Sequence, residues 1–243
     1  MRLSMLPLPM APACLAGAPR RGRSAAWARA AAALVAVALA LTGSLGQAWD
    51  QDRMRQAAQR IGPRAVASVS ALQPLLAGAA ALDELSLLAA VNDFFNRRVV
   101  FTDDTTAWGS DDHWSSPLET LQKGQGDCED YAIAKYFSLM AAGVPVARLR
   151  LIYVRATIGG PGGAVQAHMV LAYYAQPGGE PLILDNLIGE VRPASRRPDL
   201  TPVFSFNSEG LWQGAVGAAA GDPTVRLSRW REVLAKARAE GFQ

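Results

Sequence analysis

Between Asp127 and Leu187 the chain changes its period, and that change decides which layers it can build. From Ala132 to Met140, apolar Ala132, Ile133, Tyr136, Phe137 and Met140 recur at helical spacing. Asp127 is placed as N-cap, Asp130 stands three residues on in a capping-box-like position, and Gly143 with Pro145 stops the run. From Leu149 the period falls to two: Leu149, Leu151 and Tyr153 alternate with Arg148, Arg150 and Ile152. Gly159-Gly160-Pro161-Gly162-Gly163 breaks that strand, a second runs from Val165 to Tyr174, Gln176-Pro177-Gly178-Gly179 turns it, and Pro181 to Leu187 is a third. One helix packed on an antiparallel meander is an α+β arrangement. With the second hairpin centred near Pro177, paired positions sum to about 354, which makes His168 and Asp185 cross-strand neighbours within a residue or so.

The remaining segments are less constrained. Leu82 to Arg98 reads as a core-facing helix on Leu85, Leu88, Ala89, Val91, Phe94 and Phe95. Residues 49 to 73 read as a frayed helix or an extended arm, 101 to 117 as an acidic surface loop, 191 to 212 as irregular, and Ala215 to Gly221 as a small-residue linker. Thr224 to Gly241 is a charged amphipathic helix with Val225, Leu227, Trp230, Val233 and Leu234 on its apolar side. Its mixed charges favour a packed terminal helix over one lying on a membrane.

The start of the chain has the marks of an export signal. Arg20, Arg21, Arg23 and Arg29 precede an acid-free apolar run from Ala30 to Leu41, and Gly46 and Ala48 offer the small residues of a cleavage site. The run is short of the roughly 20 residues of a membrane span. Residues 1–48 are therefore expected to be a signal peptide, with an uncleaved inner-membrane anchor as the alternative, and 49–243 the folded domain. That segment holds five arginines and no acid, so its loss takes the net charge from +3 to −2 and leaves no basic surface to argue for nucleic-acid binding. Cys14 would leave with it, and Cys128 would remain as a lone thiol in an oxidising compartment: buried, paired with another chain, or reactive.

A reactive cysteine needs a base for its proton and a third group to orient that base. Cys128 at a helix start, His168 on the strand beneath it and Asp185 on the neighbouring strand supply all three. Each also has a plain structural role, since lone cysteines and strand histidines are commonly core residues. Asp127, Glu129 and Asp130 favour a helix N-terminus but oppose a thiolate. A hard divalent cation such as Ca²⁺ would reconcile the two, though three carboxylates fall short of the roughly six to eight oxygens it takes. Asp103 and Asp104 are further candidate ligands, and no EF-hand pattern is present.

Trp114 to Tyr136 (WSSPLETLQKGQGDCEDYAIAKY), Ala167 to Tyr174 (AHMVLAYY), Pro181 to Leu187 (PLILDNL) and Asp199 to Trp212 (DLTPVFSFNSEGLW) resemble the bacterial transglutaminase-like cysteine proteinases, and within them the LapG-type periplasmic proteases. The resemblance runs from about Leu82 onward and implies a papain-like/transglutaminase-like core with a Cys128, His168, Asp185 triad. It implies calcium dependence through Asp127, Glu129 and Asp130. Backbone amides at the helix start, that of Cys128 included, would form the oxyanion site, with Trp114 or Gln125 assisting. It further implies cleavage of a large surface adhesin near its N-terminus, at adjacent alanines, to release cells from a biofilm, and sequestration by an inner-membrane receptor for cyclic di-GMP. Two rivals use the same residues: a transglutaminase-type acyl transferase, in which an amine replaces water, and a non-catalytic binding module with Cys128 structural.

Overall fold

The structure is a computed structural model and describes residues 49–242; the expected signal peptide and Cys14 lie outside them. Of the two readings for residues 49 to 73, a frayed helix or an extended arm, the helical one holds, as two helices, α1 (Gln51–Ile61) and α2 (Pro63–Ala77), joined at Gly62 and started by Asp50, whose side chain accepts from Arg53 N–H at 2.9 Å. Met54, Ala58, Val69 and Leu72 are buried. Their spacing is helical but the polar residues between them disguise it, and tertiary packing decides the outcome. Next come α3 (Glu84–Arg98), β1 (Val100–Phe101), α4 (Asp104–Trp108), α5 (Pro117–Lys123), β2 (Gln125–Gly126) and α6 (Cys128–Ala141). In α3 the buried side is Leu87, Leu88, Val91, Phe94 and Phe95, while Leu85 is 61% exposed and Ala89 exposed, so the stripe is rotated from the expected one by part of a turn. On α6 burial runs nearly all round, from Asp130 to Leu139, because helices cover one side and the sheet the other.

The sheet comprises β3 (Leu149–Ile158), β4 (Ala164–Tyr173), β5 (Leu182–Leu184), β6 (Arg192–Pro193), β7 (Leu200–Phe206), β8 (Leu211–Gln213) and β9 (Ala219–Gly221). Its seven strands lie in the order β6-β5-β4-β3-β7-β8-β9. The three expected strands are present, but the meander is only half of the sheet. Residues 191–212, read as irregular, supply β7, which pairs with β3 at the centre, and the small-residue linker supplies edge strand β9. In β7 a proline at 202 and exposed Thr201 and Val203 weaken the alternation that would reveal a strand. Pairs such as Leu171 with Leu184 sum to 355, one residue from the expected register.

The terminal amphipathic stretch breaks at Leu227 into α7 (Pro223–Arg226) and α8 (Ser228–Ala239). Trp230, Val233 and Leu234 are buried as expected, whereas Val225 is exposed. The Trp230 ring packs on Tyr136, Phe137 and Phe206, which joins α8 to both α6 and the sheet. Beyond α8, the buried Glu240 accepts from Ser116 Oγ and, at 3.0 Å, from Leu118 N–H. A carboxylate at the start of α5 satisfies free amides there, and it pins the segment that carries Trp114 and Ser115. Among the described residues no helix is long and apolar enough to cross a membrane.

Candidate active site

Cys128 is the first residue of α6, and Gly126 lies two residues before it. A Cβ on Gly126 would stand 2.4 Å from Asp130 Oδ2, so only glycine lets the chain pass the buried carboxylate. Gly124, at φ +62°, closes α5 in the left-handed region that favours glycine. The two glycines thus let one helix end and the next begin within four residues, and this places the thiol at the mouth of a cavity of about 410 Å³.

Cys128 and His168 both line that cavity, together with Trp114, Tyr153, Ala167, Met169 and Asp104. Asp185 Oδ1 is 2.8 Å from His168 Nε2, and both groups are buried, at 1% and 3% exposure. That bond assigns the Nε2 position to Asp185 and leaves Nδ1 as the nitrogen able to take a proton. His168 lies on β4, the strand packed beneath α6, as expected. Met169, Leu171 and Tyr173 belong to the core under α6, whereas Val170 and Ala172 belong to the smaller core on the other side of the sheet. By strand alternation His168 shares the side of Val170. Cys128 packs on the α6 side of the sheet and His168 by alternation shares the other, and both line one cavity.

Asp185 is itself held from several directions. Leu187 N–H donates to its Oδ1 at 3.1 Å, Asn96 Nδ2 to its carbonyl at 2.8 Å, and Arg197 Nη2 to its Oδ2 at 2.7 Å. Arg197 is 2% exposed and also grips Asp199 through Nε and Nη2, at 3.0 and 2.8 Å. Burial pushes the Asp185 carboxyl up, but the His168 and Arg197 bonds outweigh it and bring it down to about 2. Arg197, Asp199 and Asn96 were not foreseen: an Arg-Pro-Asp run before an unrecognised strand, and an asparagine on a helix, carry no distance signal.

A carboxyl whose folded value lies below its unfolded one contributes stability that is complete above about pH 4 and is lost as pH falls through about 2. Arg197→Met should cost about 3–5 kcal/mol, because it leaves a buried anion short of its cation. Urea unfolding at pH 7 measures this, and an unchanged midpoint would mean that Asp185 stands without Arg197.

Around the thiol the charge is all negative. Cys128 Sγ donates to Glu129 Oε2 at 3.0 Å; burial first, then Glu129 and Asp127, push the thiol well above its ordinary value, against a weaker opposing pull from the Met169 backbone N–H. Asp127 is not the expected side-chain cap, and Asp130 closes no capping box: its Oδ1 accepts from Ser115 N–H at 2.9 Å. Oxygens of Asp104, Asp127 and Asp130 lie within 4.8 Å of one another, as do ligand atoms of Asp127, Cys128 and Glu129. Asp104 Oδ1, Asp127 Oδ1 and Asp130 Oδ2 are buried without a hydrogen-bond partner. Burial and mutual repulsion raise Asp104 to about 6 and Asp130 to about 7, and push Asp127 up as well. Three unpartnered anionic oxygens turned to one point suit a hard cation. Of the two loop candidates, Asp104 joins this cluster; Asp103 instead caps α4 through Thr106 N–H at 2.9 Å. Gln125 is exposed and away from the cavity, and the Trp114 indole N–H is occupied by Asp112 at 2.9 Å, so neither is free to assist the reacting centre.

Known proteins share this fold. A profile described as bacterial transglutaminase-like cysteine proteinase matches residues 73–199. The EGTA-treated structure of Legionella pneumophila LapG is similar over 77% of this chain and 97% of its own, at 38% identity and a TM-score of 0.67. The calcium-bound form of that protein matches over 77% and 98%, at 37% identity and 0.66. The comparison with curated proteins gives no match.

Proposed function

Because the chain belongs to the bacterial transglutaminase-like cysteine proteinases, with their α+β core, and is on that ground a cysteine protease, we propose that it is a calcium-dependent endopeptidase working through Cys128, His168 and Asp185. The observation that supports these assignments most is the shared cavity of Cys128 and His168 with Asp185 bonded behind the imidazole. His168 takes the thiol proton, the thiolate attacks the peptide carbonyl, and His168 returns the proton to the leaving amine. Water, deprotonated by the same imidazole, then hydrolyses the thioester. Asp185 fixes the tautomer and balances the imidazolium. The amides of Cys128, Glu129 and Asp130 precede the first bond of α6, Tyr131 N–H to Asp127 O, and are the natural donors to the oxyanion.

Asp104, Asp127, Glu129 and Asp130 would hold the calcium ion, whose charge would offset the anions that now oppose thiolate formation. A calcium-bound structure exists for the Legionella relative, which supports the choice of metal. By resemblance to LapG-type proteases, we propose a periplasmic enzyme that cuts a large adhesin near its N-terminus at adjacent alanines, releasing cells from a biofilm, and that an inner-membrane cyclic di-GMP receptor restrains. The leader composition supports export.

A peptide with two central alanines, incubated with Ca²⁺ and a fluorescent primary amine, tests the reaction class. Cleavage without amine incorporation is expected. Incorporation of the amine into a glutamine peptide, with no hydrolysis, would assign the acyl-transferase alternative.

A further inference from the structure

Cys128 and His168 line one cavity beside β4, and part of the edge of β4 has no partner among the described residues. β4 is ten residues long, but β5 covers only Leu171–Tyr173 on the side away from β3. Among the described residues no hydrogen bond from another strand, turn or side chain reaches the backbone of Ala164 to Ala167 on that side. These four residues are exposed, Val165 at 64%, and β4 then runs directly into His168.

Natural edge strands are protected by charge, proline, a bulge or a covering loop. Ala164-Val165-Gln166-Ala167 carries no charge and no proline, and its pairing with β3 is regular throughout. In an antiparallel strand each residue turns its N–H and C=O to the same neighbour, and the direction alternates along the chain. Tyr174 N–H donates at 2.8 Å to the carbonyl of Arg148, which directly precedes β3, so even-numbered residues of β4 face β3 and Met169 faces away from it. Val165 and Ala167 share its parity, so their amides and carbonyls face the open side. Five residues from Val165 to Met169 offer roughly 16 Å of pairing surface, ending where Cys128 lies.

We propose that the polypeptide substrate binds by adding a strand to this edge of β4, pairing its backbone with Val165 and Ala167 so that the next peptide bond lies between Cys128 and His168. The inference rests on the endopeptidase reading and names how that site holds its substrate. Main-chain pairing provides affinity with little demand on sequence, so side-chain choice falls to the cavity walls at Trp114, Tyr153 and Met169. It also requires an extended, unfolded stretch of substrate, which confines cleavage to linkers.

Two alanine pentapeptides, one with a C-terminal chloromethyl ketone and one with an N-terminal chloroacetyl group, cover the two sides of the scissile bond. At least one should alkylate Cys128 about tenfold faster than its single-residue counterpart, and N-methylation of alternate residues should remove that advantage. Val165→Pro removes one outward N–H; the ratio of pentapeptide to iodoacetamide rates should fall about tenfold, and by less than twofold in Val165→Thr. No gain with length on either side, or a gain that survives both N-methylation and Val165→Pro, overturns the proposal. So does a Val165→Pro variant that turns a dimer into a monomer while the ratio stays put. Failure of the endopeptidase reading would show separately, as an iodoacetamide rate that His168→Ala does not lower.

Discussion

Replacing His168 by glutamine is expected to lower kcat/KM for peptide cleavage by roughly 10⁴-fold or more, and Cys128→Ala to abolish it. The size of the first loss follows from the state of the thiol. In a neutral, solvent-exposed setting a cysteine keeps a small thiolate fraction and some reactivity of its own. Here burial and the Glu129 and Asp127 carboxylates hold the proton on sulfur, so nearly all reactivity must come from transfer to an imidazole that Asp185 orients. Asp185→Asn should retain more activity than the His168 variant but with the wrong tautomer populated. Activity against an alanine-containing peptide, together with urea midpoints to show that each variant folds, measures this. A His168→Gln enzyme within tenfold of the wild type would remove His168 from the proton-transfer role and with it the triad.

That Cys128, His168 and Asp185 come near one another was legible in the sequence because they sit where local signals are strong. Cys128 follows a glycine-marked helix start, and His168 and Asp185 flank a hairpin whose turn residues set the register to within one position. What the period could not supply was the third dimension. A helix and a strand that pack together present the cysteine to one side of the sheet, strand alternation turns His168 to the other, and only the folded chain shows the cavity they share. The same limit hid Arg197, which is ordinary in its own segment and acquires its role from a partner 12 positions away. The elements least legible, α1 and α2, which kept an extended alternative, and β7, read as irregular, are those whose apolar pattern is diluted by polar or proline residues and which are stabilised by long-range packing. In Asp127 and Asp130 the capping pattern was real as a pattern, but a cap needs its oxygen on its own helix amides. Asp130 spends one oxygen on Ser115 and leaves the other unpartnered beside Asp104 and Asp127.

That unpartnered cluster sets the second large expectation. Ca²⁺ at about 100 times its Kd should stabilise the protein by about 2.7 kcal/mol, a rise in Tm of roughly 5–10 °C for a domain of this size, whereas Mg²⁺, which holds its water and demands a tighter octahedron, should do little. Excess EGTA should reverse the rise and remove peptidase activity. Asp130→Asn and Asp104→Asn should each blunt the Tm response, while Asp103→Asn, which alters only the α4 cap, should keep it. The pH dependence has a definite sign. Burial and repulsion raise Asp104 to about 6 and Asp130 to about 7, so the metal-free protein becomes more stable as pH falls through these values, when the buried charges are neutralised, and gains no more below the unfolded carboxyl value near 4. Calcium needs the same oxygens deprotonated and must compete with those protons. The Tm gain should therefore be nearly gone at pH 5, grow as pH rises through 6 and 7, and go on growing toward pH 9, where Asp127 also gives up its proton. A gain independent of pH would place the ion on ordinary surface carboxylates, and full activity in EGTA would leave Cys128 to react under the repulsion of its neighbours unaided. Between those outcomes lies the physical point of the arrangement: the carboxylates that disable the thiol are the ones that would recruit the cation able to release it.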